Sequence, residues 1–136
     1  MSRRDDRILA FQLAFGIDFH DWENLDETVE YILEEFGRDD TEGEYIYATL
    51  SGISRTRHQA DDLISRHSKD WDIERLNRVD LAILRLAIYE MIFSAEIPES
   101  VAINEAVDIS KEFSGDEGGR FINGILGNIS REGRPI

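Results

Sequence analysis

The segment from Val79 to Phe93 constrains the fold more than any other part of this chain. Val79, Ala82, Ile83, Leu86 and Ala87 recur at spacings of three and four, and Leu81, Leu84, Ile88 and Met91 form a second such stripe. These spacings belong to an α-helix, and two stripes cover most of its circumference. A helix apolar on most sides cannot lie at a surface, so it belongs in the middle of a bundle with other helices around it.

The rest of the sequence supplies those helices. Proline occurs only at Pro98 and Pro135, and no segment alternates at period two. Ile8, Phe11 and Phe15 share one face of a first helix, with Leu9 and Leu13 beside it and Gly16 as a stop. Asn24 or Asp26 can cap a second helix carrying Val29, Ile32, Leu33 and Phe36 and ending at Gly37. Asp39, Asp40 and Thr41 offer the start of a long third helix with Ile46, Leu50, Ile53, Ala60 and Ile64 on one stripe, which Gly52 should weaken slightly. Trp71 to Leu76 reads as one or two helical turns, and Ser94 to Glu99 as a loop, with Pro98 near the next start. Ile103, Ala106, Ser110 and Phe113 then align, with Asn104, Asp108 and Lys111 facing outward. Ser114 to Gly119 is a polar break, Phe121, Ile122, Ile125, Leu126 and Ile129 form the last helix, and the tail after Arg131 should fray.

Composition removes several functional classes. There is no cysteine, hence no disulfide framework or thiolate site. His20, His58 and His67 have no metal-binding spacing, and His58 and His67 fall on the exposed side of the long helix. No phosphate-binding glycine loop precedes a lysine, and no nucleophile elbow surrounds a serine. Gly124 and Gly127 sit in an apolar helix and read as close packing. With no nucleophile, metal set or cofactor loop, an enzyme is not expected, and neither is a cofactor. No apolar run is long enough for a membrane span, and the start lacks a signal peptide's apolar stretch, so a cytoplasmic location is expected.

The formal charge of −14 argues against a simple polyanion binder. Its distribution changes that argument. Between Asp18 and Glu44 stand 12 acids and one base, Arg38, and outside that arm 17 acids face 14 bases. The arm reads as a solvated helix face, and the nearly balanced remainder leaves room for a local cationic patch.

Two places suggest contact with an anion. Arg3 and Arg7 are four apart at the start of the first helix, with Arg4 beside them and Asp5 and Asp6 diluting the charge. An ordinary charged helix end explains the same pattern. Glu117-Gly118-Gly119-Arg120-Phe121 opens the last helix, where free amides favour anions, an arginine can pair with phosphate and an aromatic ring can stack on a base. There the plainer reading makes Phe121 the first core residue of its helix.

At this point the second half becomes recognisable. The run from Asn77 to Glu90, the Ile97-Pro98 pair followed by Val101-Ala102-Ile103-Asn104-Glu105-Ala106-Val107, and Phe121-Ile122-Asn123-Gly124-Ile125-Leu126 resemble, in order and spacing, the NusB transcription-antitermination family. The arginine-led first helix with Ala10 to Phe15 resembles the family's start, and the likeness is weakest from Ile17 to about Glu44. The resemblance implies an all-α, NusB-like bundle of about seven helices in two three-helix subdomains, roughly 1–70 and 71–136, forming a single RNA-binding domain. It implies binding of boxA-type single-stranded RNA together with ribosomal protein NusE, within the RNA polymerase antitermination complex. Carried over by position, it implies RNA contact by Arg3, Arg4, Arg7, Phe15, Glu117, Arg120 and Phe121. Glu74 and Asp80 match acidic positions near the RNA and NusE contact region. Phe15 stands where relatives often have tyrosine, and the acidity here is a departure. Asn104, Glu105, Asn123 and Gly124 are family hallmarks read as structural, with Asn123 expected to bond a neighbouring helix end. The alternatives are a protein-binding adaptor or a homodimer of the same fold. A domain of an RNA methyltransferase is disfavoured because no cofactor-binding segment is evident.

Overall fold

A computed structural model describes residues 3–19, 22–36, 40–68, 73–94 and 96–132. Within them the chain is all helical: α1 (Arg3–Ile17), α2 (Leu25–Phe36), α3 (Asp40–His67), α4 (Arg78–Ile88) and α5 (Glu99–Glu132), with 3-10 turns at Trp22–Asn24 and Ile73–Arg75 and a π turn at Tyr89–Phe93. The all-α expectation holds, while the count of about seven comes down to five. The short segments are single turns, and α5 joins what reads as two helices. The expected stop at Gly37, the residues Asp39 and Trp71, and the tail beyond Glu132 lie outside the described residues.

The central helix is where the sequence places it. Every residue from Asp80 to Ile88 is buried, and α4 touches α1, α3 and α5. Leu81, Leu84 and Ile88 are fully enclosed, each stabilising the fold by about 1.5–3 kcal/mol through apolar burial. Asn77 caps the helix: its Oδ1 accepts the N–H of Val79 at 2.8 Å and of Asp80 at 3.4 Å. Ile46, Leu50, Ile53, Ala60 and Ile64 of α3 meet it as one buried stripe.

Two glycines shape the chain around this core. A Cβ on Gly52 would lie 2.0 Å from the Tyr89 ring, so this glycine also seats the tyrosine that opens the π turn. Gly115, at φ 89° and ψ 176°, breaks α5 in a region that side-chain-bearing residues avoid. The break is one residue rather than the whole span Ser114 to Gly119. Beyond it the chain returns along itself, and the Ser130 hydroxyl donates to the Glu99 carboxylate, tying the far ends of the two arms together.

Buried charge stitches the elements. Arg85 grips Asp61 of α3 with two bonds of 2.9 Å and donates to Asp18, after α1, at 2.9 Å. His67 is only partly exposed and lies against Glu132, so it is not on an open face as expected. Among the described residues no helix is long and apolar enough to cross a membrane.

Candidate nucleic-acid interface

The opening of α1 brings its three arginines together but does not leave them free. Arg7 is enclosed between α1, α4 and α5, with Nε at 3.0 Å and 3.2 Å from the two Glu90 carboxylate oxygens and Nη1 at 3.1 Å from Glu105. The Tyr45 hydroxyl also donates to Glu90, at 3.3 Å. Burial pushes the Glu90 carboxyl above its ordinary range, with Arg7 pulling the other way, and pushes the Tyr45 hydroxyl well up. Arg4 reaches Glu105 and, at 3.0 Å, Asp108. Arg3 lies 4.1 Å from the centre of the Tyr45 ring and 3.9 Å from Asp6. Each cation at this end is thus answered by a carboxylate, and Glu105, the hallmark read as structural, answers two.

The second cluster surrounds the break in α5. Arg75, Asn77, Asp80, Glu117, Arg120 and Phe121 line an open groove of about 580 Å³. Arg75 and Arg120 are exposed and make no ion pair among the described residues, and Phe121 is half-buried. The second arm of α5 starts after Gly115, beside this groove, and a helix start favours negative charge. Asp80 lies on the floor. Burial raises its pKa, and the neighbouring Ser114 and Ser110 hydroxyls oppose that shift. Gly118 is buried on the floor too, where a Cβ would come within 2.5 Å of Ser114 Oγ.

The expected residues therefore separate into two groups. Arg3, Arg4 and Arg7 gather at one end of the first arm of α5, and Asp80, Glu117, Arg120 and Phe121 at the other. The helix rises about 13 Å between Glu105 and Ser114, which belong to these ends. Phe15 is half-buried with its ring edge-on to exposed Phe19 at 5.0 Å, and Glu74 is exposed on the turn before α4. Asn123 is exposed with no helix-end partner among the described residues, and Gly124 has nothing within 4 Å of its Cβ position, so neither packs as expected. Sequence reasoning missed Arg75 and Asn77; the cap signal of Asn77 before the apolar run was the available clue. It also missed Glu90, whose acidity inside an apolar helix signals a buried cation.

The fold is an all-helical bundle that carries an open groove where helix ends meet. Among the described residues no group of histidines and acids is arranged to hold a metal. The profile of the NusB family matches residues 4–131. The transcription antitermination protein NusB of Acetivibrio thermocellus is 41% identical over 129 residues, covering 95% of this chain and 88% of its own. That of Agathobacter rectalis is 39% identical, covering 96% and 100%. In structure the chain is similar to T. maritima NusB, with a TM-score of 0.87 and 38% identity over 99% of this chain and 94% of the other. A crystal structure of antitermination factors NusB and NusE in complex with double-stranded RNA matches at 0.83 and 27%, covering 96% of each. The chain belongs to the NusB family, a family of transcription antitermination factors and not of enzymes.

Proposed function

We propose that this protein binds boxA-type single-stranded RNA of ribosomal RNA transcripts together with ribosomal protein NusE, as part of the cytoplasmic RNA polymerase antitermination complex. The groove at the α5 break carries this reading: two exposed arginines that make no ion pair among the described residues flank a half-buried phenylalanine at a helix N-terminus. In this assignment Arg75 and Arg120 take phosphates, and Phe121 stacks a base at about 1–3 kcal/mol. Glu117 and Glu74 stand at the rim, where acids select register or meet a basic partner. Phe15 and Phe19 offer apolar surface near the same end of the bundle. Arg3 serves as an outlying phosphate contact, while Arg4 and Arg7 shape the protein and do not grip RNA. The subdomain of roughly 1–70 acts as a brace, and that of roughly 71–136 carries the groove. Similarity to a NusB seen with NusE and RNA supports the choice of partners.

Gel shifts with boxA-type RNA, with and without NusE, test the reading. The expected result is a salt-dependent shift that NusE strengthens and that Arg75→Ala or Arg120→Ala weakens. A shift unchanged in both variants places the RNA elsewhere. Binding of NusE with no RNA retained at low salt makes the chain a protein-binding adaptor. The acid-answered arginines of α1 favour that second reading.

A further inference from the structure

The two walls of the groove come from different parts of the chain. Arg75 and Asn77 stand at the approach to α4, and Glu117, Arg120 and Phe121 beyond the break in α5. The break does not itself hold the second wall in place. Gly115 carries no side chain, and its φ of 89° lies where glycine moves freely, so the direction of the second arm is set by what that arm touches. Asp80, in the first turn of α4, is 7% exposed, and Ser110 is fully buried. The Ser114 and Ser110 hydroxyls, at the end of the first arm, donate to the Asp80 carboxyl. Its Oδ1 has no partner, which leaves Oδ2 as the acceptor. Both hydroxyls also lie against the second arm: a Cβ on Gly118 would come 2.5 Å from Ser114 Oγ and 3.1 Å from Ser110 Oγ. The serines are thus held between α4 and the second arm, and Gly118 lets that arm close on them.

We infer that Asp80 is a positioning residue: by accepting from the Ser114 and Ser110 hydroxyls, its buried carboxylate sets the angle at which the second arm of α5 leaves Gly115, and with it the placement of Arg120 and Phe121 at the groove. The consequence for RNA rests on the reading above and deepens it. A hydroxyl that donates to a carboxylate makes a stronger bond than one that donates to a neutral oxygen, so this clasp is the firmest available to a pair of serines. Without it the Ser110 hydroxyl would be buried with no acceptor. Asp80 does not touch RNA in this assignment. It acts through the arm, and a binding site loses affinity when the groups that support it let it drift by about 1 Å.

The test uses the full chain. Affinity for boxA-type single-stranded RNA is measured by fluorescence anisotropy at low salt, and amide hydrogen exchange of the RNA-free protein by mass spectrometry. Asparagine and alanine both remove the charge at position 80, but only asparagine keeps an oxygen for the serine hydroxyls. Asp80→Asn should therefore bind RNA at least as tightly as wild type and leave exchange across residues 114–121 unchanged. Asp80→Ala should bind about fivefold or more weakly and exchange faster in that segment. Adding Arg120→Ala to Asp80→Ala should cost less affinity than Arg120→Ala costs alone, because the arginine is already misplaced. Ser114→Ala should move both readouts in the same direction as Asp80→Ala, and it decides the matter where Asp80→Ala does not fold. Equal RNA affinity of the asparagine and alanine variants means that Asp80 counts only by its charge; it overturns the inference and leaves the RNA reading standing. Faster exchange in Asp80→Ala, with no RNA bound by wild type, sinks the RNA reading and keeps the clasp. Unchanged exchange in Asp80→Ala overturns the clasp whatever the RNA does.

Discussion

The two ends of α5's first arm carry the same residue type to opposite purposes. At one end Arg4 and Arg7 face Glu90, Glu105 and Asp108, and the charge is consumed inside the fold. At the other, Arg75 and Arg120 border an open groove and make no ion pair among the described residues. An arginine alone says nothing about nucleic acid. What matters is whether the neighbouring helix presents an acid at the same height, and that is a property of packing between helices.

The most severe way to probe this contrast is Arg7→Ala. It leaves Glu90 buried without its cation, and breaking such a pair destabilises by about 3–5 kcal/mol. A large fall in melting temperature is expected, with RNA affinity of the folded protein nearly unchanged; a stable variant that loses RNA would erase the distinction between the ends. Gly118→Ala attacks the other end. Its Cβ meets Ser114 at 2.5–2.8 Å, so overpacking should cost about 1–3 kcal/mol and narrow the groove, reducing RNA affinity and stability together. Chemical denaturation and anisotropy on the same preparation check both effects. Arg120→Ala should change stability by no more than about 0.5 kcal/mol while lowering the salt slope of RNA binding by about 1, the reverse of the Arg7 profile.

Asp80→Asn sharpens the comparison through pH. Burial raises the Asp80 carboxyl's pKa, so the folded chain holds that proton more tightly than the unfolded chain. Stability therefore falls as pH rises from the ordinary carboxylate range through the raised one. The amide should stabilise the protein near neutrality by up to about 1 kcal/mol, and the gain should vanish in acid, as melts across that window would show. Arg4→Ala is the smallest change. Arg4 is half-exposed, and its loss should cost less than about 1 kcal/mol, readable as a slight shift in denaturation midpoint that disappears at high salt.

Much of the fold was legible in the sequence because apolar spacing is a local record of which face is buried. The stripes of α3 and α4 are buried as read, save that Val79 is half-buried, and Asn104, Asp108 and Lys111 face outward. The packing role of Gly52 escaped notice because it depends on Tyr89, which the chain brings to it only after folding. Of the candidate groove, Asp80, Glu117, Arg120 and Phe121 were named in advance, the first by resemblance alone. Arg75 and Asn77 escaped notice because a polar turn before a helix looks like any other until another helix is laid beside it.

Sequence by itself determined that this chain is helical, that the helix opening at Val79 lies at its centre, and which family it resembles, since periodicity and motif order are written along one dimension. Tertiary structure decided which arginines are available. The fold-back at Gly115, the burial of Glu90 and the level at which Glu105 meets α1 are all relations between distant segments. Charge neutralisation falls off within a few ångströms, so only the packed molecule can say which cations still have a field to offer.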